Sequence, residues 1–188
     1  LAFNAVVFWM APYLIRVHGL APAEFGARLG LVLAIGGAAG IFAGGWLADT
    51  LRRRGDAGAE LWPGLLSAGA ILPFGLATTQ AGSGAAALAA FAGFMFASSF
   101  AFAAAAAALQ VVTPNRLRGQ VSALYLFCVN LAGIGVGSFL TGWLNDSVFA
   151  DPNRVGDSMA WVVGVSAPLA MLLLWLARSR YLRLQRPA

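Results

Sequence analysis

Few side chains in this sequence can do bond-making chemistry. Its 188 residues hold one histidine (His18), one cysteine (Cys128) and seven carboxylates. A serine hydrolase needs a serine with a histidine base within hydrogen-bond reach. His18 stands in a stretch with Gly19 and Pro22 that reads as a loop, and no serine has a nucleophile's context. A zinc protease needs paired histidines such as H-E-x-x-H, which one histidine cannot supply. Cys128 lies alone in an apolar run, so no intramolecular disulfide and no metal cluster is expected. The sequence is therefore read as a non-enzyme with no cofactor and no metal.

The other candidates are polar or aromatic groups inside apolar runs: Asn4, Trp9, Tyr13, Ser98, Ser99, Tyr125 and Asn130. Polar groups within a membrane are costly and mark function by default. Trp9, Tyr13 and Arg16 are spaced by four and three, one face of a helix. An aromatic face ending in a cation suits an amphiphile with an anionic head group. An interfacial aromatic belt with a snorkelling arginine explains the same spacing. Asn4, Trp9, Tyr13, Arg16, Tyr125 and Asn130 form the candidate substrate-cavity set.

The elements that position these groups follow from composition. The chain is 60% hydrophobic and 10% charged, with a mean hydropathy of +0.79. Soluble domains carry about 25% charged residues, so lipid must solvate most of this surface. Six apolar runs, about 1–17, 26–48, 61–79, 85–112, 120–144 and 159–177, approach the ~20 residues that a membrane helix needs. Unbroken runs satisfy their backbone as helices, and the alternation of barrel strands is absent. The loops between them are too short for a soluble domain. All twelve basic residues are arginines. Nine (Arg52, Arg53, Arg54, Arg116, Arg118, Arg178, Arg180, Arg183 and Arg186) fall on one side if six spans alternate. The positive-inside rule puts that side, and both chain ends, in the cytoplasm. The net charge of +5 is thus topological, and no nucleic-acid partner is expected.

An internal repeat joins two of the spans. Gly40-Ile41-Phe42-Ala43-Gly44-Gly45-Trp46-Leu47-Ala48-Asp49 and Gly137-Ser138-Phe139-Leu140-Thr141-Gly142-Trp143-Leu144-Asn145-Asp146 agree at six of ten positions. Each segment closes the middle helix of a group of three, and the two end on opposite sides. That is the pattern of an inverted three-plus-three repeat. Chance similarity of two Gly-rich apolar helices is the competing reading.

The sharpest motif is Gly45-Trp46-Leu47-Ala48-Asp49-Thr50-Leu51-Arg52-Arg53-Arg54. It resembles the cytoplasmic-loop motif of the major facilitator superfamily, G-x-L-x-D-(R/K)-x-G-R-(R/K), at Gly45, Leu47, Asp49, Arg53 and Arg54. Thr50 and Arg52 depart from it. Gly133, Gly137 and Gly142 lie in a segment similar to the Gly-Pro motif of the family's fifth helix, with Ser138 in place of proline. Such glycines permit close helix crossing. The runs Tyr13 to Leu20 and Pro114 to Tyr125, with Asn130-Leu131, resemble the spinster-like branch, helices seven to twelve.

The resemblance implies an all-α integral membrane protein, a single lobe over 1–188 with its six helices as an inverted 3+3 repeat. It implies a second, N-terminal six-helix lobe as partner, alternating access, and the bilayer as surroundings. It further implies a small or lipid-like substrate, such as a lysophospholipid or a sphingolipid-like amphiphile, often driven by protons. Gly45, Asp49, Arg53 and Arg54 are then the cytoplasmic gate. No carboxylate lies deep in a span, since Asp49, Asp146 and Glu24 sit at helix ends. A proton-coupling carboxylate is therefore expected in the other lobe. The sequence opens at Leu1 in apolar residues, so a chain cut at its N-terminus is expected, in the inner membrane if the source is bacterial. A truncated remnant or membrane scaffold without transport is the alternative.

Overall fold

The computed structural model describes residues 1–184 except Ala57 and Glu60. Among the described residues the chain forms six helical rods and no strand. They are α1 (Ala2–Arg16), α2 (Pro22–Arg53), α3 (Leu61–Thr79), α4 (Gly84–Val111), α5 (Asn115–Phe149) and α6 (Pro152–Arg178). The last five are long and apolar enough to cross a membrane. The 15 residues of α1 reach about 22 Å against a hydrocarbon core of ~30 Å.

Several rods outrun the apolar runs that announce them. α2 starts at Pro22, whose fixed φ suits a first helical position, and Glu24 accepts a 2.6 Å hydrogen bond from the Ala21 amide. It runs on through Arg52 and Arg53, cations that favour a helix C-terminus, and stops before Gly55 at φ +85°. α5 likewise extends beyond 120–144 at both ends, and α6 starts ahead of 159. The Ser83 hydroxyl caps α4 by accepting from the Ala86 amide, and Asp151 accepts from the Asn153 amide before α6. The polar loop residues are thus absorbed into helix starts. Within α2 and α5 lie π-helical turns, Val32–Gly36 and Leu131–Gly137, and a third closes α5 at Leu144–Phe149.

Packing follows the three-plus-three exchange of α1 with α4, α2 with α5 and α3 with α6. The main partners of α1 are α5 and α6, and those of α4 are α2 and α3, while α3 and α6 pack on each other. The direction of each rod is read from its contacts. Along α2, Gly36, Gly40 and Gly44 meet α4 at Met95, Phe96 and Phe100 in turn, so α2 and α4 run parallel. Along α5, Gly137 and Gly142 meet Leu1 and Trp9, so α1 and α5 run parallel. The start of α4 at Gly84 lies beside His18 and Leu20, just after α1, so the two triples begin at opposite ends. The lobe is an inverted repeat.

The common core is formed by Val6, Met10 and Leu14 of α1, Phe91, Phe94 and Met95 of α4, and Val155, Met159 and Val163 of α6. Because lipid tails are as apolar as these side chains, association rests on close packing rather than on escape from solvent. The glycines supply that closeness. A Cβ on Gly40 would strike the Phe96 carbonyl oxygen and stand 2.9 Å from the Ser99 Cβ. One on Gly44 would run into the backbone of Phe100, 2.8 Å from its carbonyl carbon.

Candidate functional site

The motif Gly45 to Arg54 forms the last three turns of α2 at the arginine-rich end. Asp49 and Arg53, one turn apart, are exposed, as is Arg54, which caps the helix. Thr50, standing where the motif has a basic residue, turns its hydroxyl back to the Trp46 carbonyl at 2.7 Å. Gly45 is not the tightest contact in this helix. A Cβ there would meet the Ala103 Cβ at 3.8 Å, an ordinary distance, whereas Gly40 and Gly44 lie against α4 itself. Arg186, one of the nine arginines assigned to this end, lies outside the described residues.

The turn after the motif is built around Asp56. One carboxylate oxygen accepts from the Gly58 amide at 2.7 Å, the other from the Trp62 indole N–H at 2.8 Å. The Arg178 guanidinium of α6 lies 5.2 Å from the centre of the Trp62 ring. None of these three side chains was singled out by sequence reading. A carboxylate six residues before a tryptophan at a helix start is the only local trace of them.

The residues assigned to a cavity divide among three surroundings. Asn4 is half-buried against Gly133 of α5. The Trp9 indole donates to the Ser138 carbonyl at 3.1 Å, and its ring meets Gly142. Both therefore lie in the α1–α5 seam with Gly133 and Gly137. Tyr13 is fully buried on the other side of α1. Its hydroxyl donates to the Thr79 carbonyl at 3.0 Å, and its ring lies edge-on to His18 at 5.1 Å and against Gly156. Arg16 is exposed at the end of α1. Tyr125 is half-buried, and Asn130 is exposed with its amide bonded to the Leu126 carbonyl at 2.8 Å. Trp9 and Tyr13 are four residues apart yet turn to different neighbours, because α1 is covered by α5 on one flank and by α3 and α6 on the other.

The side of α1 and α4 away from α3 and α6 is uncovered. Phe8 and Ile15 of α1 and Phe96 and Phe102 of α4 are exposed there, and Phe3 joins the two helices edge-on to Phe102 at 5.6 Å. On α5, Leu124, Phe127, Leu131 and Ile134 are exposed as well.

A six-helix inverted repeat with this loop motif is what one family's profile describes. The profile of the Major Facilitator Superfamily matches residues 1–137. The chain belongs to that superfamily. No curated protein and no solved structure matches it. Members of the superfamily are membrane transporters, and this chain is a multi-pass membrane protein of that transport family. Among the described residues no group of three or more His, Cys, Asp or Glu side chains could hold a metal. Sequence reading also missed three buried polar atoms of this lobe that lack a partner among the described residues: His18 Nε2, Ser138 Oγ and Asn145 Oδ1. Asn145 is 1% exposed and stands in the repeat where α2 has the small Ala48. A polar residue at the end of an apolar run reads as loop, so nothing local marked it as buried.

Proposed function

We propose that this lobe works as the C-terminal half of a secondary transporter, rocking against a second six-helix body to expose a shared cavity alternately to each side. The observation that carries this reading is the uncovered face of α1 and α4. The two helices central to the repeat leave phenyl rings exposed, Phe8 at 53% and Phe102 at 41%, opposite the side where α3 and α6 cover them. A second lobe would make that face the wall of a cavity.

The arginine-rich end is assigned to the cytoplasm by the positive-inside rule, with Asp49, Arg53 and Arg54 as the gate that holds one conformation through charge contacts. The proposed substrate is a lysophospholipid or sphingolipid-like amphiphile, as in the spinster-like branch, moved with protons. Exposed Phe8 and Phe127 would take the acyl chain, and exposed Arg16 an anionic head group.

The test uses the protein of the complete reading frame in phosphatidylcholine liposomes with fluorescent lysophosphatidylethanolamine, read by dithionite quenching. Translocation several-fold above protein-free liposomes, and faster under an imposed pH gradient, is expected. A rate equal to that of protein-free liposomes rejects the amphiphile, and indifference to the gradient rejects proton coupling.

A further inference from the structure

We infer that Trp62 is a positioning residue, holding the turn that follows the gate motif and tying it to the end of α6. This inference rests on the gate assignment proposed above for Asp49, Arg53 and Arg54.

The argument begins with the turn itself. After Arg54 the chain must reverse into α3 within six residues. The Gly55 amide bonds back to the Arg52 carbonyl at 2.9 Å, and the Asp56 amide to the Leu51 carbonyl at 3.1 Å. These bonds close the helix end but do not attach it to anything beyond. Asp56 makes that attachment. Its carboxylate accepts from the Gly58 amide within the turn and from the indole of Trp62, in the first turn of α3. Both bonds involve an ionised acceptor, which makes them stronger than neutral ones. The Trp62 ring in turn carries the Arg178 guanidinium at 5.2 Å, within cation–π reach. One turn before Arg178, Leu174 packs near Gly64 of α3, where a Cβ would stand 3.4 Å from its Cδ1, so the two helices already lie together at this level. Trp62 therefore touches the turn with its N–H and α6 with its ring face. No other side chain in this corner is shown joining all three segments.

The consequence is mechanical. If the lobe rocks as a body, the arginines of the gate must keep their place relative to it, or their contacts with the opposing lobe blur. Asp56 and Trp62 give the exposed end of α2 a fixed reference on α3 and α6. Trp62 touches neither substrate nor the gate arginines, so it acts through the turn.

The test is amide hydrogen exchange on the full protein in detergent, with transport measured beside it. Trp62→Phe keeps the ring for Arg178 and removes the N–H. Exchange across 51–61 is expected to rise about tenfold, the effect of losing one charge-assisted hydrogen bond. Exchange across 84–99 should not change. Asp56→Asn should act on the same segment, and the double variant should exceed the larger single effect only slightly, because both remove one interaction. In transport the expected effect is a lower kcat with unchanged KM. Unchanged exchange across 51–61 in both single variants overturns the inference. So does a local rise in exchange with full kcat, which leaves a contact without a positioning role. If Trp62→Phe loosens the whole lobe, Asp56→Asn decides: a rise confined to 51–61 supports the inference and no rise overturns it. If the unaltered protein moves no lysophospholipid, the substrate reading fails. The rate at which a maleimide labels Arg54→Cys, in a Cys128→Ser background, then stands in for kcat. Trp62→Phe should raise that rate, and an unchanged rate overturns the positioning role.

Discussion

Two neighbouring glycines on α2 should respond to one added methyl group with opposite sign. At Gly44 a Cβ would lie 2.8 Å from the Phe100 carbonyl carbon and 3.2 Å from its Cα, with the carbonyl oxygen closer still. Carbon atoms pack best at about 3.5–4.0 Å, so α2 and α4 must part by roughly 1 Å, since backbone cannot step aside. Overpacking of this kind costs about 1–3 kcal/mol. At Gly45 the same Cβ meets the Ala103 Cβ at 3.8 Å, an ordinary contact. There the substitution replaces the poorest non-proline helix former with the best, a gain of about 0.5–1 kcal/mol. For a chain of this length, ~2 kcal/mol corresponds to roughly 4–8 °C in Tm. Gly44→Ala should therefore lower Tm by about that much, and Gly45→Ala should leave it unchanged or raise it by about 1–3 °C. Intrinsic tryptophan fluorescence during heating in detergent is a suitable readout, because six tryptophans report on the lobe. Equal losses at both positions, or a neutral Gly44→Ala, would refute the placement of α2 on α4.

Other perturbations follow from the same contacts. Tyr13→Phe removes the hydroxyl that reaches the Thr79 carbonyl and should cost ~1 kcal/mol in a urea titration of the detergent-solubilised protein; no loss would mean that the bond is not made. Asn145→Leu removes a buried oxygen without a partner among the described residues and should stabilise by ~1 kcal/mol. A loss on heating would instead show that Oδ1 is paired, by water or by a neighbour. Asp49→Asn should slow transport of the fluorescent lysophospholipid with little change in substrate binding, and unchanged turnover would sink its assignment to the gate.

How much of this was legible beforehand depends on the scale of the question. Charge-free runs such as 61–115 announce helices in lipid whatever their neighbours, and the shared Gly-Phe-Gly-Trp-Leu-Asp pattern announces the repeat. Helix ends were harder to see. Pro22 and Arg53 are polar or helix-breaking by composition, yet one suits a first turn and the other a last. The candidate site was harder again. The spacing of Trp9, Tyr13 and Arg16 places them on one side of α1, but a helix wedged among three neighbours has no single inner side. Which neighbour each ring meets depends on where Gly142 and Gly156 leave room, and that information lies more than a hundred residues away. The same holds for Gly44, which local sequence does not distinguish from Gly45.

The π-helical turns in α2 and α5 have a consequence for lengths of sequence. Each such turn holds a residue more than an α-helix would over the same rise. Beyond it, every side chain is rotated by about 100° from where an uninterrupted helix would place it. Gly40 and Gly44 follow one of these turns, and Gly142 follows another. Removing a single residue from Val32–Gly36 would restore a regular helix without breaking the membrane span. It would also swing both glycines off α4 and bring bulkier neighbours against the Phe96 and Phe100 backbone. A helix that tolerates substitutions along its lipid side is thus intolerant of a change in count at this point.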